Sequence, residues 1–330
     1  MSTEKSIPIS FSALCVIEAD YIYVSSKPDQ FEEDEAYSRL FFLDLQNKKS
    51  PWVHHDLIGH DVVSLCLSTA MDSGKRIYCA LSRQGDIEYS WPGGSKMENI
   101  KGAGLLGNEL PLYGYVNCIK EISSCLYVCG GGGQIYKRNK GKWSHLAPHL
   151  KTAVKVPTPN LATNETNDFF RHEFQAIGGF NDEDIYVVGT DGEVLQYNGT
   201  EWRACNIQST ETLTDLCCSS DGIVWICGYN GSLLKGSYDL GFEELSTIDD
   251  NMTFTSIVLY KDRPYLASTE GLFYFDNGKI QPVRMSPKKA IDDTHSVGVS
   301  GGILWSVGYK EVLSFDGLKW TKFPHPDNEA

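Results

Sequence analysis

A unit of three short strands recurs along this chain. Its clearest copy spans residues 182–202, where apolar residues alternate with polar ones around an Asp-Gly and an Asn-Gly pair. Alternation interrupted by such pairs predicts β-hairpins with tight turns. The aromatic residue of the second strand recurs at Tyr186, Trp225, Tyr265 and Trp305, in steps of 39, 40 and 40 residues. A period of about forty residues is typical of a propeller blade of four strands.

The same pattern appears earlier in the chain at Tyr127 and, in weaker copies, at Tyr78 and Tyr23. We therefore predict an all-β protein, a seven-bladed β-propeller with four antiparallel strands per blade. Seven blades of about forty residues use nearly all of the 330 residues, so we expect a single domain. The predicted blades cover residues 10–59, 60–104, 112–150, 169–209, 210–250, 251–289 and 292–330. Whether the N-terminal segment adds a strand that closes the ring stays open at this point.

The charge of the chain restricts the kind of partner that it can bind. It carries 43 acidic and 29 basic residues, which gives a net charge of −14. This surplus disfavours nucleic acid and anionic membranes and favours a basic protein surface. No stretch approaches about eighteen consecutive apolar residues, and the N-terminus lacks a signal-peptide pattern, so we expect a cytoplasmic protein. The ten cysteines lie mostly in predicted strands, which indicates reduced thiols in the core.

Three insertions interrupt the repeat, at residues 27–36, 100–111 and 151–168. The first joins the second and third strands of a blade, and the other two each join one blade to the next. In a propeller both kinds of loop lie on the same face of the disc, so the three insertions are predicted to share a face. Insertions that gather on one face of a repeat protein often form its binding surface.

The residues predicted to form this surface are acidic and aromatic. They are Asp29, Phe31, Glu32, Glu33, Asp34, Glu35, Tyr37, Phe169, Phe170, Asp191, Tyr229, Asp249, Asp250, Asp292, Asp293 and Tyr309. Aromatic side chains supply contact area that loses water on binding, and the negative charge raises the association rate of a basic partner. The alternative interpretation is a solvated loop face with some tyrosine packing.

Residues suited to catalysis or metal binding are few. His54, His55 and Asp56, with His60 nearby, could offer metal ligands, but alternation along a strand separates neighbouring side chains. The inner-strand positions near the predicted axis are mostly neutral: Ser64, Asn117, Gln175, Asp215, Ser256 and Ser296. That set is too neutral for catalysis by paired carboxylates, and a lactonase-like enzyme would need a ring of Asp, Asn and Glu residues on calcium at the axis. We therefore expect no enzyme activity, no metal and no cofactor, and keep a glycosidase- or lactonase-like enzyme as the alternative.

The repeat I-Y-V-V-G-x-x-G-x-V-x-x-Y-x-G-x-x-W resembles bacterial propellers of the WD-like, YVTN-like and photosystem-assembly-factor-like group, over about residues 60–330. The Gly-His and Trp-Asp pairs of true WD repeats are missing. Small acidic propellers of this appearance include immunity proteins that neutralise secreted bacterial toxins. The resemblance therefore implies a non-catalytic protein that occludes one cationic toxin domain, with a general assembly scaffold as a further alternative.

Overall fold

The computed structural model describes residues 7–71, 74–106, 112–151, 172–246, 252–286 and 288–328. Within these ranges the helical segments are short 3-10 turns, and no helix is long and apolar enough to cross a membrane. The strands form seven four-stranded antiparallel sheets, and in each sheet neighbouring strands follow chain order. This is a seven-bladed β-propeller, so the predicted fold class is confirmed.

The blades are numbered in chain order. Blades 1 to 4 contain β1 Ile9–Glu18, β2 Tyr21–Pro28, β3 Tyr37–Asp44, β4 Trp52–Ile58, β5 Val62–Ser68, β6 Ile77–Ser82, β7 Asp86–Trp91, β8 Gly94–Asn99, β9 Val116–Ile122, β10 Cys125–Gly130, β11 Gln134–Asn139, β12 Lys142–His145, β13 Phe174–Asn181, β14 Asp184–Gly189, β15 Val194–Tyr197 and β16 Trp202–Ala204. Blades 5 to 7 and a short hairpin contain β17 Leu213–Cys218, β18 Val224–Gly228, β19 Leu233–Ser237, β20 Gly241–Glu244, β21 Phe254–Tyr260, β22 Arg263–Ser268, β23 Gly271–Asp276, β24 Lys279–Pro282, β25 Arg284–Ser286, β26 Lys289–Ala290, β27 Ser296–Ser300, β28 Ile303–Val307, β29 Val312–Phe315 and β30 Trp320–Lys322. The hairpin β25–β26 is an addition to the repeat between blades 6 and 7.

The chain divides into two compact units. Residues 1–65 and 214–330 form the first, with blades 1, 5, 6 and 7, and residues 66–213 form the second, with blades 2, 3 and 4. In both units the aromatic residue that defines the repeat lies in the core. Tyr127 and Tyr186 of the second unit and Trp305 of the first are among the largest fully buried side chains. The period of about forty residues in the sequence therefore arises because each blade buries one such aromatic residue.

Side-chain hydrogen bonds link the inner strands of successive blades. In the first unit the Thr214 hydroxyl donates to the carbonyl of Phe254 at 2.6 Å, and the Thr255 hydroxyl donates to the carbonyl of His295 at 2.7 Å. In the second unit the Asn117 amide donates to the carbonyl of Phe174 at 2.8 Å. Each bond joins a side chain of one blade to a main-chain carbonyl of the next blade.

The first unit contains both ends of the chain and shows how blade 7 meets blade 1. All four strands of blade 7 come from the C-terminal part of the chain, so none of the described strands is exchanged between these two blades. His295 Nε2 donates to the carbonyl of Phe11 at 2.9 Å, and Trp305 Nε1 donates to the carbonyl of Ala19 at 3.3 Å. Burial lowers the pKa of His295, which favours the neutral imidazole that makes this bond.

The segment after β30 packs on blade 1. The main-chain N–H of Ile9 donates to Asn328 Oδ1 at 2.9 Å. The His325 ring, which is 3% exposed, lies 4.4 Å from the ring of Phe41 and 4.8 Å from that of Trp52. Burial lowers the pKa of His325 to about 4, and the nearby carboxylate of Asp327 only partly opposes this shift.

Tight turns join the second and third strands, and one of them requires glycine. Gly192 has a φ of +66°, and a Cβ atom there would lie 1.9 Å from the carbonyl oxygen of Ser209. Its N–H donates to the carbonyl of Glu211 at 2.9 Å, which holds the turn against the connection to the next blade. Gly222, in contrast, has a φ of +83° and no atom within 4 Å of the same position.

Gly192→Ala is expected to destabilise the fold more than Gly222→Ala. Both substitutions place a side chain at positive φ, which costs about 1 kcal/mol, but only Gly192→Ala also forces the main chain at Ser209 to move. We expect the free energy of unfolding, measured by urea denaturation, to fall by about 1 kcal/mol for Gly222→Ala and by at least about 2 kcal/mol for Gly192→Ala. Equal losses in the two variants would contradict this account of the turn.

His325 is expected to make the protein less stable at acidic pH. Its pKa is about 4 in the folded chain, against about 6.5 in an unfolded one, so the unfolded chain binds the proton first as the pH falls. The stability from neutral His325 is complete above pH 6.5 and decreases toward pH 4, by about 2 kcal/mol at pH 5.

The test compares urea unfolding at pH 7 and pH 5 for the wild type, His325→Phe and a control. His325→Phe keeps an aromatic ring in the pocket and removes the titrating group, so its loss of stability between the two pH values should be smaller. The exposed His149 provides the control, and His149→Gln should keep the wild-type loss. An unchanged loss in His325→Phe would show that other groups cause the pH dependence.

Candidate partner-binding surface

The loop between β2 and β3 carries the longest acidic run of the described chain, Glu32 to Glu35, and all four side chains are exposed. The ammonium group of Lys27 holds the loop closed by donating to the carbonyl of Glu33 at 3.0 Å and to that of Glu35 at 2.6 Å. These bonds use main-chain oxygens, not carboxylates. No described residue forms an ion pair or a side-chain hydrogen bond with the four carboxylates, which therefore remain available to a partner.

Two of the predicted aromatic residues form the base of this loop. The rings of Phe31 and Tyr37 stack with their centroids 4.2 Å apart and their planes at 18°. Both side chains are half-buried. Burial and the neighbouring Asp56 raise the pKa of Tyr37, so its hydroxyl stays protonated. The pair is thus a fixed aromatic platform whose outer surface reaches solvent beside the acidic run.

Asp29 is held by groups of its own chain. Lys310 Nζ donates to one carboxylate oxygen at 2.5 Å, and Ser10 Oγ donates to the other at 2.8 Å. Burial raises the pKa of Asp29, but the hydrogen bonds from Lys310 and Ser10 outweigh it and leave the pKa below its usual value. Asp29 therefore fixes the start of the loop against the turn that contains Lys310.

Asp293 caps that same turn, between β28 and β29. Its two carboxylate oxygens accept the main-chain N–H groups of Tyr309 at 2.8 Å and Lys310 at 2.9 Å. Tyr309 is 51% exposed, and its ring lies 5.1 Å from that of His295. The structure thus connects Asp29, Asp293 and Tyr309 through Lys310, a basic residue at the centre of a surface predicted to be acidic.

The remaining predicted residues are more dispersed. Asp292 is exposed next to Asp293, and Tyr229 is 46% exposed in the turn between β18 and β19 of blade 5. Asp191 belongs to the second unit, where it is exposed and adopts a φ of 56° in its turn. Asx side chains tolerate this left-handed conformation. The predicted residues Phe169, Phe170, Asp249 and Asp250 lie outside the described residues.

Main-chain hydrogen bonds within each unit join the loops between second and third strands to the loops that connect one blade to the next. In the first unit Gly59 N donates to the carbonyl of Ala36 at 2.9 Å, and Gly231 N donates to that of Met252 at 2.6 Å. Each bond joins a loop between second and third strands to a connection between blades. The acidic loop 29–36 therefore lies beside the connection that follows β4, as the geometry of a blade requires.

The residues considered for metal binding or catalysis are engaged in other contacts. Asp56 accepts two hydrogen bonds from Arg39, at 2.7 and 3.0 Å, and this pairing lowers its pKa. His54 packs against the ring of Phe41 at 5.1 Å. On the inner strand of blade 5, Asp215 accepts the N–H of Ile257 at 2.9 Å. In the described part of the chain, no three His, Cys, Asp or Glu residues are grouped to hold a metal ion.

Comparison with known proteins adds one relative by sequence and several by fold. No family model matches the chain. The chain is 28% identical over 316 residues to the immune protein Tsi7 of Pseudomonas aeruginosa, covering 92% of this chain and 93% of that protein.

Among solved structures, catalytically inactive virginiamycin B lyase from Staphylococcus aureus with quinupristin superposes with a TM-score of 0.65 at 11% identity, over 93% of this chain and 94% of that one. The WD40 propeller domain of Doa1 superposes with a TM-score of 0.60 at 12% identity, over 99% of this chain and 97% of that one. YCF48 bound to D1 peptide superposes with a TM-score of 0.59 at 13% identity, over 98% of this chain and 96% of that one. At these identities the likeness concerns the fold alone, and it identifies the chain as a seven-bladed β-propeller with WD40-like and YCF48-like neighbours.

Proposed function

We propose that this protein is a non-catalytic immunity protein that binds a toxin domain through a basic surface of the toxin and neutralises it by covering that surface. The similarity to an immune protein along most of both chains supports the immunity role. Ten cysteines without a disulfide among them are typical of a reducing compartment, which supports a site of action in the cytoplasm.

The observation that carries the proposal is the set of free carboxylates at Glu32 to Glu35. Carboxylates already paired within a chain gain little from a new cation, because the old pair must break first. Here Lys27 holds the main chain of the loop, so the loop is fixed without an ion pair to any of its four carboxylates. Such a patch attracts a basic partner over several ångströms and speeds its association.

The aromatic side chains beside the patch would supply the contact area. Phe31 and Tyr37 are already stacked, and Tyr309 is anchored through the capped main chain of its turn. Ordering these side chains on binding therefore costs little conformational entropy. A charged rim next to fixed aromatic anchors is the usual composition of a protein-binding site.

The partner can be identified by affinity capture from the native organism at low and at high salt, followed by mass spectrometry. We expect one predominant partner with a basic domain, captured less efficiently at high salt. Purified partner should lose its toxic activity when mixed with this protein in equal amounts. Capture of no partner under either condition, or a captured partner that keeps its activity, would contradict the proposal.

Neutralising the acidic run should slow association with that partner. In the variant Glu32→Gln, Glu33→Gln, Asp34→Asn and Glu35→Gln, we expect the association rate constant at low salt to fall by about tenfold and to depend less on salt. The dissociation rate should change less, because exposed charges act mainly on the approach of the two proteins. Stopped-flow fluorescence at several salt concentrations measures both effects.

A control of equal charge separates local from general electrostatics. Four acidic residues lie exposed on other loops and outer strands of the first unit: Asp239, Glu243, Glu244 and Asp262. Changing these four to the corresponding amides alters the net charge by the same amount and should alter the association rate by less than about twofold. Equal slowing in the two variants would show that net charge, not the loop, guides binding.

A further inference from the structure

A groove of 870 Å³ lies between the outer parts of blades 6 and 7, within the first unit. Its walls come from β22, β23 and β24 of blade 6, from the added strand β25, and from β29, the following turn and β30 of blade 7. It shares no residue with the acidic loop or with the turn of Tyr309. A volume of this size is near the upper end for small-molecule sites and accommodates several residues of a peptide.

The groove is basic in a chain that is strongly acidic. Arg263, Arg284 and Lys319 line it, and no described lining residue is an aspartate or glutamate, although the chain has 43 acidic and 29 basic residues. Arg263 contacts Asp276 at 3.5 Å, a partly exposed pair that holds it weakly. Arg284 and Lys319 form no ion pair with any described residue. Three cations thus line one groove, and two carboxylates lie beside that lining: Asp276 contacts Arg263, and Asp316 accepts the main-chain N–H groups of Leu318 and Lys319 at 2.7 Å.

Aromatic residues give the groove a rigid lining. The Arg263 guanidinium lies over the ring of Tyr274 at 5.1 Å, and Trp320 stacks on Phe315 at 4.9 Å. Leu318, at the turn between β29 and β30, is 94% exposed, the largest value among the exposed large hydrophobic residues. A leucine so exposed beside fixed aromatic rings offers contact area for an apolar side chain of a ligand.

The groove also coincides with a departure from the repeat. The connection between blades 6 and 7 contains the hairpin β25–β26, and this hairpin supplies Arg284. One residue before β25, β24 is the outermost strand of blade 6, and among the described strands it pairs with β23 alone. An outer strand beside a groove can receive an extended peptide segment along its free edge.

We propose that this groove binds an extended acidic segment of a protein, with carboxylates on Arg263, Arg284 and Lys319 and an apolar side chain against Leu318 and Trp320. The charge of the lining excludes a basic segment, and the exposed leucine favours a peptide over a purely ionic ligand. The site is independent of the acidic loop, and its sign of charge is opposite. It therefore does not depend on the immunity role proposed above.

The test uses fluorescein-labelled peptides of eight residues and fluorescence anisotropy. One peptide contains six glutamates, one leucine and one phenylalanine; a second has serine in place of the two apolar residues; a third has lysine in place of the glutamates. We expect the first to bind most tightly, the second at least about fivefold more weakly, and the third not measurably. Binding should weaken as salt rises.

Variants locate the binding on the molecule. Arg284→Glu with Lys319→Glu should weaken the first peptide by at least about tenfold. Lys48→Glu with Lys49→Glu changes the net charge equally at two exposed residues of blade 1 and should weaken it by less than about twofold. Leu318→Ser should weaken the first peptide and leave the second unchanged. Circular dichroism spectra like that of the wild type confirm that the variants are folded.

Several results would overturn the proposal. No saturable binding of the first peptide, equal weakening by the two charge-reversal pairs, or equal binding of the third peptide would each remove the acidic-segment site. Competition by inorganic phosphate or citrate at concentrations matching the affinity of the peptide would identify a site for small anions instead. Because the assay contains no toxin, its failure leaves the proposed immunity role unaffected.

Discussion

The arrangement of the first unit depends on hydrogen bonds that run from one blade to the next. Thr214, Thr255 and His295 each donate a side-chain hydrogen to a main-chain carbonyl on the next inner strand. The last of these bonds joins residues 284 positions apart in the chain and reaches blade 1 from blade 7. A bond between neutral partners contributes about 1 kcal/mol, but leaving a buried carbonyl unpaired costs more. Blades 7 and 1 therefore meet through such bonds, without exchange of any strand that the structure describes.

That junction also carries the residues of the candidate surface. Asp29 follows β2, Tyr309 and Lys310 follow β28, and the N–H of Phe11 donates to the carbonyl of Tyr309 at 3.0 Å. The carboxylates of Asp29 and Asp293 stabilise this junction, because Asp29 pairs with Lys310 and Asp293 accepts two main-chain N–H groups. The carboxylates left for a partner are those of the loop from Glu32 to Glu35. The acidic residues of this surface thus have two roles. Asp29 and Asp293 form hydrogen bonds within the chain, whereas Glu32 to Glu35 remain exposed to a partner.

The fold was predictable from sequence because two patterns both reflect which residues are buried: the alternation of apolar and polar residues, and the period of about forty residues. A strand with one buried face shows apolar residues at every second position, and a blade repeats this pattern with one large aromatic residue, as at Tyr186 and Trp305. The site was less predictable, since the residue type of an acid does not reveal its partner. Nothing in the sequence distinguishes Asp293, which caps a turn, from the exposed Asp292 beside it. The hairpin β25–β26 was missed for a related reason: its strands have three and two residues, too few for alternation to show.

Net charge describes the approach of a partner from a distance, whereas the lining of each surface decides what binds. The net charge of −14 is the reason to expect a basic partner. It gives no indication of the groove lined by three basic residues. At physiological ionic strength charges are screened over about 8 Å, so a ligand inside the groove responds to Arg263, Arg284 and Lys319 more than to acids elsewhere. A propeller is well suited to such separation, because each loop and each outer strand belongs to its own blade. Surfaces of opposite charge can therefore be carried by one unit without neutralising each other.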